Sequence, residues 1–158
     1  LPLSKQGKQA FLDLVDRALK IFDRVIVVVA ENAGKDPLFS LEERIDMVKN
    51  ATAQKRGVQV ESFDGLVVNY AMKKGALALI RGVRMLSDFE YEFQMALTNR
   101  KLESRVETLF LMPNEAYSYL TSRLIKEIAR NGGETRSYVP KYVHKRLAER
   151  FSETRQRA

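Results

Sequence analysis

The chain has 158 residues, enough for one domain with a real core, and its 45% hydrophobic and 30% charged content is that of an ordinary globular protein. It contains no cysteine, which excludes disulfides and thiolate metal sites and fits a reducing cytosol without establishing one. The net charge is +7, but residues 141–158 carry six basic residues against two glutamates, more than half of that excess, so a solvated basic tail is expected and not a nucleic-acid surface. No apolar stretch approaches the roughly 20 residues that a bilayer requires and no secretory signal is visible, so no membrane partner is expected either.

Phe11, Leu14, Val15, Ala18, Leu19 and Phe22 recur at helical spacing and predict an amphipathic first helix. Val25-Ile-Val-Val-Val-Ala30 follows, a β-branched apolar run that reads as a strand buried on both faces of a parallel sheet. Ser40-x-x-Glu43 is a capping box for a second helix through about Ala53, and Val58-Gln-Val-Glu-Ser-Phe63 alternates as a strand. A short helix around Val67–Lys74 leads into a strand over 76–80. Ser87-x-x-Glu90 is a second capping box, opening a helix over 88–101, and Glu107–Met112 reads as the fourth strand. A helix from Ser122 to Arg130 stops at Gly132-Gly133, and Pro140 starts the last helix, with residues 152–158 expected to fray. Alternation of strand and helix predicts an α/β fold, a doubly wound Rossmann-like parallel sheet in a single domain over residues 1–158. A helix-first start is unusual for that class, and the strand that ought to precede it is not recognisable in residues 1–10.

The most informative stretch is Ile80-Arg-Gly-Val-Arg-Met-Leu-Ser-Asp-Phe-Glu-Tyr-Glu92. Ligands of open α/β sheets sit beyond the carboxyl ends of the strands. Arg81 and Arg84 at such an end, beside a glycine that admits close backbone approach, suit a phosphorylated ligand. Taken alone, Arg-Gly-x-Arg fits two solvated surface charges equally well.

Its neighbours decide. Asp16-Arg-Ala-Leu-Lys-Ile-Phe-Asp23, Pro37-Leu-Phe-Ser-Leu-Glu-Glu-Arg44, Ile80-Arg-Gly-Val-Arg84, Asp88-Phe-Glu-Tyr-Glu92, Asn99-Arg100, Phe110-Leu-Met-Pro113 and Lys126-Glu127 stand in the order of one family. Over about residues 12–151 the chain resembles bacterial phosphopantetheine adenylyltransferases, of the nucleotidyltransferase superfamily. The resemblance implies reversible transfer of AMP from ATP to 4′-phosphopantetheine, giving dephospho-coenzyme A and pyrophosphate, the penultimate step of coenzyme A synthesis. It also implies Mg²⁺, a cytoplasmic homohexamer, and coenzyme A itself as a ligand.

Carried over by position, the resemblance makes Lys35 and Arg84 the catalytic phosphate-binding cations. Lys35 lies in the loop Asn32-Ala-Gly-Lys35, and Arg81 holds the phosphopantetheine phosphate. Gly82, Val83 and Arg84 form the segment touching ATP, with Glu92 a further ATP contact. Tyr117, Ser118, Tyr119, Leu120, Thr121, Ser122 and Arg123 form the loop and helix start that close over ATP. Backbone N–H groups at a helix N-terminus are a natural anion site, although Thr121 serves equally as a plain N-cap. The pantetheine arm is expected along Leu66-Val67, so Val67 joins Asn99 and Glu127 as a substrate contact. The plain alternative for Glu92, Asn99 and Glu127 is helix-surface polarity.

One departure stands out. The family's signature, Tyr-Pro-Gly-(Ser/Thr)-Phe-Asp-Pro-x-(Thr/His)-x-Gly-His, is absent; the corresponding stretch is Leu1-Pro-Leu-Ser-Lys-Gln-Gly-Lys-Gln-Ala-Phe11. Ungapped counting puts Phe11 at the histidine, Ala10 at the glycine and Lys8 at the Thr/His position. Only Pro2-x-Ser4 echoes Pro-Gly-Ser, which makes Ser4 a substrate contact if one residue is deleted. Loss of one oxyanion donor costs about 10²–10³ in rate. An altered N-terminus on an otherwise ordinary enzyme is the expected explanation, and a non-catalytic homologue that binds ATP or coenzyme A is the alternative. The single histidine, His144, is expected to pack or to sit at the surface.

Overall fold

The computed structural model describes residues 9–31, 37–114 and 120–156. Helix α1 (Gln9–Ala18) leads to strand β1 (Val25–Ala30), helix α2 (Leu41–Thr52) to β2 (Val58–Phe63), and helix α3 (Val67–Lys73) to β3 (Ala78–Gly82). Helix α4 (Leu86–Leu102) precedes β4 (Glu107–Leu111), and helices α5 (Ser122–Arg130) and α6 (Lys141–Gln156) complete the order. Strands and helices alternate, and every strand pair is parallel. This is the expected Rossmann-like α/β fold.

The four strands form two pairs. β1 runs beside β2 in register Val25↔Val58 to Ala30↔Phe63, and β3 beside β4 from Ala78↔Glu107 to Gly82↔Leu111. Among the described residues β1 and β3 each keep one edge without a strand partner. The turn before β2 needs Gly57: its φ is +82°, and a Cβ there would stand 2.5 Å from the Asp23 carbonyl oxygen. That close approach lets Val25 N–H donate to the Gly57 carbonyl and start the first ladder.

Ser40 caps α2 as the sequence predicts: Glu43 N–H donates to its hydroxyl, and Ser40 N–H donates back to the Glu43 carboxylate. The same carboxylate accepts from Arg146 and Arg150 of α6 at 2.5 and 2.6 Å. Beside this pairing α6 buries Leu147 and Phe151 with Val139 against Leu38, Phe39 and Ile125. The helix is continuous through Gln156.

Three boundaries differ from the sequence reading. The first helix ends at Ala18, not Phe22, where the chain tightens into a turn: Lys20 and Ile21 N–H donate three residues back, to the Arg17 and Ala18 carbonyls. The third strand spans 78–82 instead of 76–80: Ala76 N–H is held by the Ala71 carbonyl as α3 closes, while Arg81 and Gly82 pair with Phe110 and Leu111. Helix α4 starts at Leu86 with Met85 as N-cap and no side-chain cap hydrogen bond, so Ser87-x-x-Glu90 is not a capping box.

Candidate active site

The register of β3 against β4 puts Arg81 and Gly82 at the last two positions of the strand, with Val83 N–H extending the ladder to the Leu111 carbonyl. The phosphate-binding candidates therefore stand at a carboxyl strand end, where α/β sheets place their ligands. Gly82 earns its place by packing: a Cβ there would meet Leu14 Cδ2 of α1 at 3.1 Å. The bare backbone lets α1 lie close over the strand end.

A cavity of about 420 Å³ opens beside it. Val67 at the start of α3, Arg81 of β3, and Glu92 and Asn99 of α4 all line it, so four residues scattered over the sequence meet in one space. Asn99 is buried, at 8% exposure. The remaining wall is mostly apolar and comes from α1 and β1, including Leu14 and Val27, with Phe63, Leu79, Ile80 and Met95 from the other elements. Phe11 is part of that wall, on the same cavity as Arg81.

Within the cavity Arg81 and Glu92 form a two-pronged ion pair, with Nε and one terminal nitrogen each donating over 2.6 Å to separate carboxylate oxygens. These bonds push the Arg81 guanidinium even further above its ordinary range, against the opposing effect of burial. Arg84 is held differently. Its Nε donates to Asp88 at 3.0 Å, and another nitrogen donates to the main-chain carbonyl of Leu120 at 2.8 Å. Arg84 thus joins the β3–α4 turn to the segment that enters α5.

Thr121 is the N-cap of α5, its hydroxyl accepting from Leu124 N–H at 3.1 Å. Ser122 and Arg123 form the exposed first turn, and Leu120 is buried just before it. Glu127 is exposed on α5 and does not line the Arg81 cavity. Ser4, Lys35, Tyr117, Ser118 and Tyr119 lie outside the described residues. His144 bonds Thr135 Oγ1 at 2.8 Å and accepts from Arg136 Nε, a packing role on a different and wider basin.

Two partners were not legible beforehand. In the sequence Asp88 stands out only as part of the Asp88-Phe-Glu-Tyr-Glu92 motif, yet it is the carboxylate that orients Arg84 four residues earlier, a spacing that a helix start allows. The pairing of Arg81 with Glu92 spans eleven positions and a turn, and no local signal reports it.

Residues 9–128 match the cytidylyltransferase-like family model. A phosphopantetheine adenylyltransferase of Caldanaerobacter subterraneus subsp. tengcongensis is 50% identical over 143 residues, covering 90% of this chain and 89% of the relative. One of Carboxydothermus hydrogenoformans is 49% identical over 140 residues, covering 89% and 86%. The chain belongs to the phosphopantetheine adenylyltransferase family. The family match begins at the first described residue of α1 and includes every residue placed around the Arg81 cavity.

Proposed function

We propose that this chain transfers AMP from ATP to 4′-phosphopantetheine, giving dephospho-coenzyme A and pyrophosphate. The observation that carries the reading is the pair of guanidiniums three positions apart at the carboxyl end of β3. Arg81 faces the cavity and Arg84 is tied to the start of α5. In this reading Arg81 holds the phosphate of 4′-phosphopantetheine. Arg84, Lys35 and the N–H groups at Thr121–Ser122 hold the phosphates of ATP. A phosphate oxygen of phosphopantetheine attacks the α-phosphorus, the bond to the bridging oxygen breaks, and pyrophosphate leaves with the electron pair. Positioning and stabilisation of negative charge carry such a reaction without a covalent intermediate.

Mg²⁺ is proposed to arrive on the nucleotide. Among the described residues no three acidic or histidine side chains stand together to hold an ion, and Mg²⁺ is commonly bound through substrate phosphates. A homohexamer in the cytoplasm completes the reading. Self-association, though not the number of subunits, is supported by the large exposed side chains of α4, among them Leu86, Tyr91 and Leu97, which assembly would cover. No described helix is long and apolar enough to cross a membrane.

The test is to mix the protein with MgATP and 4′-phosphopantetheine and follow pyrophosphate. Release that requires both substrates is expected. Binding of coenzyme A with no release overturns the catalytic reading in favour of a binding homologue.

A further inference from the structure

The Arg81–Glu92 pair is built unequally. The Glu92 side chain is only 13% exposed, while that of Arg81 is 52% exposed. Glu92 is therefore the fixed member, seated on α4, and Arg81 reaches to it from the strand end. Both bonds are short and both carboxylate oxygens are engaged. Among the described residues Glu92 is the partner that the Arg81 side chain has, whereas Arg84 divides itself between Asp88 and Leu120.

The fork that Arg81 presents to Glu92 is the fork that a phosphate would take, because carboxylate and phosphate both accept parallel N–H donors. One guanidinium face cannot serve both. The half-exposed guanidinium is the member that can swing away, while the carboxylate stays seated, and a phosphate dianion is the more highly charged acceptor.

The geometry points to Glu92 as a displaceable counter-ion, which occupies Arg81 in the ligand-free protein and yields it to the phosphate of the incoming substrate. This rests on the function proposed above for Arg81 and adds a role for its neighbour. Glu92 is thereby a positioning residue, acting through Arg81. It keeps the guanidinium extended toward the cavity between turnovers and sets the threshold that an anion must exceed. Weak anions fail to open the pair, and a phosphate monoester succeeds.

Calorimetric titration with 4′-phosphopantetheine, and separately with inorganic phosphate, tests this on wild type, Glu92→Gln, Arg81→Ala and the double variant. A glutamine offers one acceptor where the carboxylate offers two. Glu92→Gln is therefore expected to tighten both ligands about three- to tenfold, and Arg81→Ala to weaken both. The double variant should bind no better than Arg81→Ala, since Glu92 acts only through the arginine. Equal or weaker binding by Glu92→Gln overturns the proposal. So does a gain that persists in the Arg81→Ala background, because that is a through-space charge effect. If phosphate tightens as expected but no form binds 4′-phosphopantetheine, the counter-ion role stands and the substrate assignment fails. Glu92→Asp, whose shorter side chain keeps the charge, should fall between wild type and Glu92→Gln; if Glu92→Gln does not fold, a gain with this variant supports the proposal and none overturns it.

Discussion

Arg84 donates a hydrogen bond to the carbonyl of Leu120, 36 positions further along the chain and one residue before the cap of α5. The bond sets the distance between the arginine and the N-terminus of α5, the two groups assigned to the nucleotide phosphates. Arg84→Ala removes the cation and this tether together. We expect kcat/KM for ATP to fall by about 10- to 100-fold, the size of a lost charged hydrogen bond of about 1.5–3 kcal/mol. Asp88→Asn, which only loosens Arg84, should cost less. Steady-state pyrophosphate release at varied ATP reads both.

Phe11 puts an aromatic ring on the cavity where the family resemblance expects histidine, and the ring can donate nothing to a developing negative charge. Phe11→His supplies a donor at that wall. We expect kcat to rise about tenfold or more, out of the 10²–10³ that one oxyanion donor is worth. Phosphopantetheine affinity should move little. An unchanged kcat separates residue 11 from the reaction.

Tyr70 is buried, and its hydroxyl donates to Glu61 at 2.6 Å while Lys74 pairs with the same carboxylate. Burial, with the Glu61 carboxylate beside it, pushes the phenol up to about 12. A raised phenol means that folding favours the protonated form. This contribution is complete below the unfolded value near 10 and is lost as pH rises through about 12. Chemical denaturation at pH 8 and pH 11 should show wild type losing more stability between the two than Tyr70→Phe. The variant itself should be about 1 kcal/mol less stable at pH 8.

Glu43 closes the α2 capping box and holds two arginines of α6. The Ser40 N–H and the arginines keep its carboxyl below the ordinary carboxylate value. Its contribution is therefore present above that value and is lost as pH falls through the lowered one. Glu43→Gln should destabilise the protein by about 1–3 kcal/mol at pH 7. The difference from wild type should shrink toward pH 3, as thermal melts across that range would report.

Local chemistry was the legible part of the fold. β1 and β2 fall on the residues predicted because β-branched runs bounded by turns have few other uses, and the Ser40 and Thr121 caps announce their helices. The boundaries that moved were settled by distant partners. The third strand slid two residues because β4 selects which of its groups pair, and Ser87 lost its cap because the helix began before it. Arg81, Arg84, Glu92, Asn99 and Val67 were legible as candidates through motif order. That Val67, Arg81, Glu92 and Asn99 share one cavity, and that Arg84 stands outside it with Asp88 and Leu120, follows from packing that no spacing encodes.

The division of the strands into two pairs has a consequence for the main chain itself. Val25 and Glu31 N–H donate to β2 residues or their flanks, and Val83 N–H donates to Leu111. Alternate residues of a parallel strand turn to opposite neighbours. The amides of Val27, Val29, Leu79 and Arg81 therefore lie in ladders, and those of Ile26, Val28, Ile80 and Gly82 face edges that have no strand partner among the described residues. Amide hydrogen exchange should alternate in rate along both strands, fast at one residue and slow at the next. An apolar segment lying between the two edges would erase that alternation.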